Sequence, residues 1–128
     1  MRRQGLVDVA QMMLGARRDE IGRLLTGRYA QQAEVVKAFA HPFRLAVVEC
    51  LRGGERCVCE IAECIGARQS NLSRHLAMMT HAGVLIRQKR GMKVFYRVRS
   101  KRVFAALDCV DRILRQQAAE RGALLERR

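Results

Sequence analysis

A mainly α-helical fold with one small β-hairpin is predicted by three features of this 128-residue chain. Apolar residues recur at helical spacing towards both ends, two short helical patterns flank a turn at Gly66, and the spacing changes to period two only between Val84 and Val98. A chain of this length buries roughly two thirds of its unfolded surface, enough for one core without disulfides or structural metal. With 49% hydrophobic and 29% charged residues, ten glycines and one proline, the composition is that of an ordered globular protein.

Residues 1–28 place Leu6, Val9, Ala10, Met13, Leu14, Ile21, Leu24 and Leu25 at roughly helical spacing, which predicts an appended helical extension. An amphipathic helix near 31–40 carries Ala33, Val36 and Phe39 and stops before His41 and Pro42. Pro42 suits the first turn of the next helix, because its missing N–H would have had no helical acceptor there. That helix is expected to run to about Leu51 and to end at Gly53 and Gly54. A short segment over 60–65, the turn at Gly66 and a helix over about 69–80 form a helix-turn-helix unit.

Beyond it, Met92, Val94, Tyr96 and Val98 fall on one strand face and Lys93, Phe95 and Arg97 on the other, with Gly91 at the hairpin turn. A last amphipathic helix over about 100–121 sets Val103, Leu107, Val110 and Leu114 on one stripe. Helix-turn-helix followed by a basic hairpin is the order of a winged helix-turn-helix domain, expected over residues 29–121, with 1–28 as N-terminal extension and 122–128 as C-terminal tail. The terminal helices have little to pack on within so small a domain. They are expected to pair with a second copy, giving a twofold homodimer that reads two half-sites about one helical turn apart.

The net charge of +13 is concentrated. No carboxylate lies between Glu63 and Asp108, yet that stretch holds Arg68, Arg74, Arg87, Lys89, Arg90, Lys93, Arg97, Arg99, Lys101 and Arg102. An ordinary solvated surface intersperses both signs, so the pattern points to a polyanion, double-stranded DNA. On a helical wheel Leu72, Leu76 and Met79 share one side, which must face the core, while Ser70, Arg74 and Ala77 centre the other, flanked by Asn71 and Ser73 with Gln69 at the start. Arg74 suits guanine and Asn71 or Gln69 suits adenine, each good bidentate contact giving ~1–3 kcal/mol of discrimination. Arg68, Lys89, Arg90 and Lys93 are expected at phosphates, where they set register and affinity. His75, at the edge of the core side, reads as a structural histidine.

Other classes are disfavoured. No run approaches the ~18 apolar residues of a spanning helix, so no membrane partner is expected. Five cysteines without a secretory signature fit a reducing, cytoplasmic setting. Without a Gly-rich phosphate cradle, a paired-carboxylate arrangement or an acid/base partner beside the thiols, neither an enzyme nor an organic cofactor is expected.

The cysteines carry the remaining chemistry. Paired thiolates such as Cys57 and Cys59 favour soft ions: arsenite, cadmium or lead. In a regular helix these two side chains would point about 160° apart, so chelation requires a non-helical or distorted helix start. Cys64 shares a helical face with Ile61 and Ile65, and reads either as a further metal ligand or as a small buried apolar residue. Cys50 and Cys109 lie near the apolar faces of their helices, and read as packing residues.

The run from Lys37 to Val98 resembles the ArsR/SmtB metalloregulators: Ala38, His41, Pro42, Arg44 and Leu45 early, Ser70, Ser73, His75 and Leu76 in the reading helix, then Ala82, Gly83 and Val84. Cys57, Val58, Cys59, Glu60 and Ile61 are similar to the Cys-Val-Cys-Asp box of that family's arsenic-sensing and cadmium/lead-sensing branches. The resemblance implies a DNA-binding transcriptional repressor that leaves its operator when an inducer, arsenite foremost, binds these thiolates. There are departures. Ala62 stands where the arsenic branch commonly has a third cysteine, no cysteine precedes Cys50 as the cadmium/lead branch requires, and the last helix offers Asp108 and Asp111 but no histidine for the zinc branch. The alternatives are a cadmium/lead sensor and a thiol-based redox or sulfur-responsive repressor of the same fold, for which the resemblance implies Cys50 and Cys109 as the redox pair.

Overall fold

The computed structural model describes residue 15 and residues 17–126, so the expected helical positions from Leu6 to Leu14 lie outside the described residues. The chain divides between Lys37 and Ala38 into two compact units. In the first, residues 17–26 are helical and Thr26 donates back to the carbonyls of Gly22 and Arg23, both at 3.2 Å. Helix α1, Arg28–Phe39, follows the turn at Gly27, with Gln31 N–H already donating to the Gly27 carbonyl. It starts earlier than expected because Arg28, Tyr29 and Ala30 continue the pattern. Ile21, Leu25, Tyr29, Val35 and Val36 of this unit are exposed.

The second unit holds the core. Helix α2, Pro42–Cys50, begins with proline as its first residue and is capped by His41, whose Nδ1 accepts from the Phe43 N–H at 3.1 Å. It buries Val47, Val48 and Cys50. Helix α3, Val58–Ile65, contributes Ile61 and Ala62 and ends at Gly66, whose left-handed φ of 73° favours a residue without Cβ. Helix α4, Gln69–His81, buries Leu72, Leu76 and Met79, the stripe that its helical spacing requires.

The wing closes the core with Val84, Leu85 and Tyr96. Strands β2, Leu85–Arg90, and β3, Lys93–Val98, pair antiparallel from Leu85 opposite Val98 to Arg90 opposite Lys93. A third strand, β1 at Arg56–Cys57, was not expected: it adds to the sheet as β1-β3-β2, with Arg56 opposite Tyr96 and Cys57 opposite Phe95. Two residues are too few to show a period. Met92 also departs from expectation, for it sits in the turn at 98% exposure and not on the apolar strand face. The chain reverses at 91–92, so the alternation begins only at Lys93.

Helix α5 spans Arg102–Glu126, past the expected end near Arg121, because Ala123, Leu124 and Leu125 sustain it through the single Gly122. Its expected apolar stripe divides. Val103 and Leu107, with Phe104, pack against the core, whereas Val110, Ile113 and Leu114 remain more than half exposed. Arg52 ties α5 to α2: it meets Glu49 at 2.7 Å and Asp108 at 3.0 Å, and its guanidinium lies 5.0 Å above the Phe104 ring. The hydrogen bond from Arg52 holds the Glu49 carboxyl below the usual carboxylate range. No helix among the described residues is long and apolar enough to cross a membrane.

Candidate nucleic-acid interface and thiol cavity

With its stripe of leucines and Met79 turned inwards, α4 exposes Gln69, Ser70, Asn71, Ser73, Arg74 and Ala77. Arg68 stands exposed in extended conformation at its N-cap. Ser70, Asn71 and Arg74 line a shallow cavity of about 300 Å³ together with Phe43 and His75. The sequence expectation for His75 agrees with its setting: its Nδ1 accepts from Arg44 Nε at 3.1 Å, and its ring stacks on Phe43 at 4.6 Å. Burial, followed by the positive charges of Arg44, His41 and Arg74, pushes the His75 imidazole below its ordinary pKa. The ring is therefore a neutral acceptor that orients Arg44.

Along the wing, Arg87, Lys89, Lys93 and Arg97 are exposed. Arg90 differs, since its guanidinium forms an ion pair with Glu55 and lies 4.2 Å above the Phe95 ring. A charge count along the sequence does not reveal that partner.

The Cys57-Val58-Cys59 box straddles a strand-to-helix junction. Cys57 ends β1 with φ −78° and ψ 162°, and Cys59 lies in the first turn of α3. The helix start is thus non-helical at the first thiol, as chelation requires, and both cysteines line one cavity of about 350 Å³. Gln69 and Ser73 of α4 form one wall and Arg87, Met92, Lys93, Val94 and Tyr96 of the wing the other. The Cys57 thiol donates to Glu60 Oε1 at 3.1 Å, and that bond holds the Glu60 carboxyl below its usual range. Gln69 Nε2 donates to Cys59 Sγ at 3.3 Å, while Ser73 Oγ donates to the Gln69 carbonyl at 2.9 Å. Sequence reasoning missed both Glu60 and the Gln69 link, because the register of one helix against another has no signature in spacing.

Cys64 does not line this cavity; it is exposed near the end of α3. Burial pushes the Cys50 thiol above its ordinary pKa. Cys109 is exposed on α5. Among the described residues no three His, Cys, Asp or Glu side chains gather to hold a metal ion, so Cys57, Cys59 and Cys64 do not form one cluster.

A helix offering small polar side chains and one arginine, beside a cationic hairpin, defines a winged helix-turn-helix DNA-binding domain. The sequence pattern described as "Bacterial regulatory protein, arsR family" matches residues 41–87. The chain is 33% identical over 87 residues to the uncharacterized HTH-type transcriptional regulator MJ1325 of Methanocaldococcus jannaschii, covering 67% of this chain and 98% of that one. It is 36% identical over 66 residues to the arsenical resistance operon repressor of Escherichia coli K12, 51% of this chain and 56% of that one. Its fold is similar to that of the homodimeric winged helix-turn-helix DNA-binding domain of Mb0332 from Mycobacterium bovis, with a TM-score of 0.63 and 27% identity over 76% of this chain and 89% of that chain. The chain belongs to the arsR family of bacterial regulatory proteins. It is a DNA-binding transcriptional regulator and not an enzyme.

Proposed function

We propose that the protein is a homodimeric repressor that leaves its operator when a thiophilic metalloid, arsenite foremost, binds Cys57 and Cys59. One observation carries this reading: both cysteines line a single cavity walled by α4 and the wing, and the first residue of α4 donates a hydrogen bond to the Cys59 sulfur. Arsenous acid would exchange two hydroxyls for the two sulfurs, releasing two waters with the thiol protons. A sulfur committed to arsenic is a poorer acceptor for Gln69, and the filled cavity displaces the side chains between α4 and β3. The inducer thus favours a state in which helix and hairpin no longer match the groove. A complete switch from 99:1 to 1:99 needs a differential of ~5.5 kcal/mol.

In the bound state Arg74, Asn71 and Ser70 face base edges. Ser73 and Gln69 frame the first turn of α4, and Arg68, Lys89 and Lys93 meet phosphates, with Arg90 held by Glu55 at the wing. Pairing through the exposed Val110, Ile113 and Leu114 of α5 gives the twofold symmetry of a palindromic operator. The likeness to the arsenical resistance operon repressor supports repression, and the homodimeric Mb0332 domain supports pairing.

The test is a mobility-shift titration on the duplex upstream of the protein's own coding sequence. Arsenite should release the wild-type protein. A variant with Cys57→Ser and Cys59→Ser should bind the duplex as before and stay bound. Cys64→Ser should respond like wild type. Unaltered release of the double variant would overturn the proposal, and release by cadmium or lead but not arsenite would reassign the inducer.

A further inference from the structure

Among the described residues Met92 is the most exposed large apolar side chain, at 98% against 71% for Leu125, and every other exposed one lies on a helix. It borders the thiol cavity yet gains almost no burial there. With Gly91 it forms the two-residue turn between β2 and β3, at the tip of the wing. Gly91, at φ 61°, has no side chain, so Met92 supplies the only one in the turn. Arg90, just before the turn, is drawn back, since its guanidinium pairs with Glu55 and lies over the Phe95 ring. We propose that Met92 is the minor-groove residue of the wing, its thioether side chain entering the minor groove of the operator duplex and favouring A·T over G·C pairs there. The proposal rests on the reading in which the cations of the wing meet phosphates.

The strand register sets the charge around this side chain. Arg90 opposes Lys93 and Lys89 opposes Val94, so Lys89 and Lys93 lie on opposite faces of the hairpin, and both are exposed. A hairpin entering tip first thus offers one cation to each wall of a groove whose walls are the phosphates of the two DNA strands. The minor groove is ~6 Å wide, too narrow for two strands about 4.8 Å apart with their side chains, but open to one slender side chain at their tip. Methionine is unbranched and adaptable, and apolar side chains of this kind enter the minor groove in other DNA-binding proteins. The same cations repel a second copy of this chain from the tip. The preference for A·T pairs follows from what lies on the floor of the groove. Both kinds of pair carry acceptors there, and G·C alone adds the guanine N2 amino donor. A thioether is a weak acceptor, so beside a G·C pair that donor loses its water without gaining a strong partner.

Inosine separates the two grooves, because it lacks the N2 amino group and keeps the major-groove edge of guanine. The experiment measures the affinity of the full chain, without arsenite, for the duplex upstream of its own coding sequence. The minor-groove segments that the bound protein shields from hydroxyl radicals are rebuilt with A·T, G·C or inosine·C pairs. The wild type should bind the A·T and inosine·C duplexes alike and the G·C duplex roughly fivefold more weakly, the lower end of what an unsatisfied donor costs. Met92→Ala, at a position too exposed to disturb the fold, should bind all three alike, and Met92→Leu should restore the preference. The proposal is overturned if no minor-groove segment is shielded, if the wild type binds all three alike, if inosine·C is as weak as G·C, or if Met92→Ala keeps the preference. Lys89→Ala tells this failure from that of the underlying reading. A lowered salt slope with no response to the rebuilt pairs removes the role of Met92 alone, whereas an unchanged slope removes the phosphate contacts of the wing and this proposal with them.

Discussion

Helix α4 and the β2-β3 hairpin both belong to the acid-free stretch, yet they present charge in different ways. α4 shows one arginine among Ser70, Asn71, Ser73 and Ala77, whereas the hairpin shows Arg87, Lys89, Lys93 and Arg97 on two six-residue strands. Small neighbours allow the α4 backbone to approach base edges, where one planar guanidinium fork can distinguish guanine. The proposed reading sets the long, separated cations of the wing at phosphates, which are the same in every sequence. On the proposed reading, the same kind of charge serves discrimination where it is a single arginine among small side chains, and affinity where several cations are spaced along two strands.

Arg74→Ala is expected to have the largest effect on this division: a roughly 5- to 150-fold loss on the preferred operator, ~1–3 kcal/mol, with little loss on unrelated duplex. Binding to a series of single-base operator variants reads it out. Equal weakening on every sequence would break the comparison, leaving α4 as another phosphate contact. Lys89→Ala should act oppositely, lowering the slope of log affinity against log salt by about 0.9 while keeping the ratio of specific to non-specific binding. Arg90→Ala should change that slope less, because Glu55 already engages its guanidinium.

The smallest effect concerns stability. His75 has a depressed pKa in the fold, so the native state binds fewer protons than the unfolded chain near the ordinary value of 6.5. Its contribution is present above about pH 6.5 and is lost as pH falls towards the depressed value. Melting temperature should therefore drop on acidification through this range, and His75→Gln should flatten the drop. Glu49 and Glu60, also held low, contribute above their ordinary 4.5 and lose that contribution at more acidic pH.

Much of this was legible beforehand where the pattern repeats within one element. Leu72, Leu76 and Met79 declare the buried side of α4 and hence its exposed one, and Val94, Tyr96 and Val98 declare the wing. Contacts across elements were not legible. The pairing of Gln69 with Cys59 and of Arg90 with Glu55 depends on how helices and strands cross, which periodicity along one of them does not encode. Strand β1 was hidden for a different reason: its two residues gain extended conformation only by pairing with Tyr96 and Phe95.

Gly66 joins the thiol-bearing helix to the reading helix through only Ala67 and Arg68, and the N–H groups of Gly66 and Ala67 both bond back to the Ala62 carbonyl, at 2.9 and 3.0 Å. Such an elbow has no slack. On the proposed reading, a tilt imposed where α3 begins reaches α4 through this two-residue elbow, so that filling the space at the sulfurs changes the pitch of the helix at the groove.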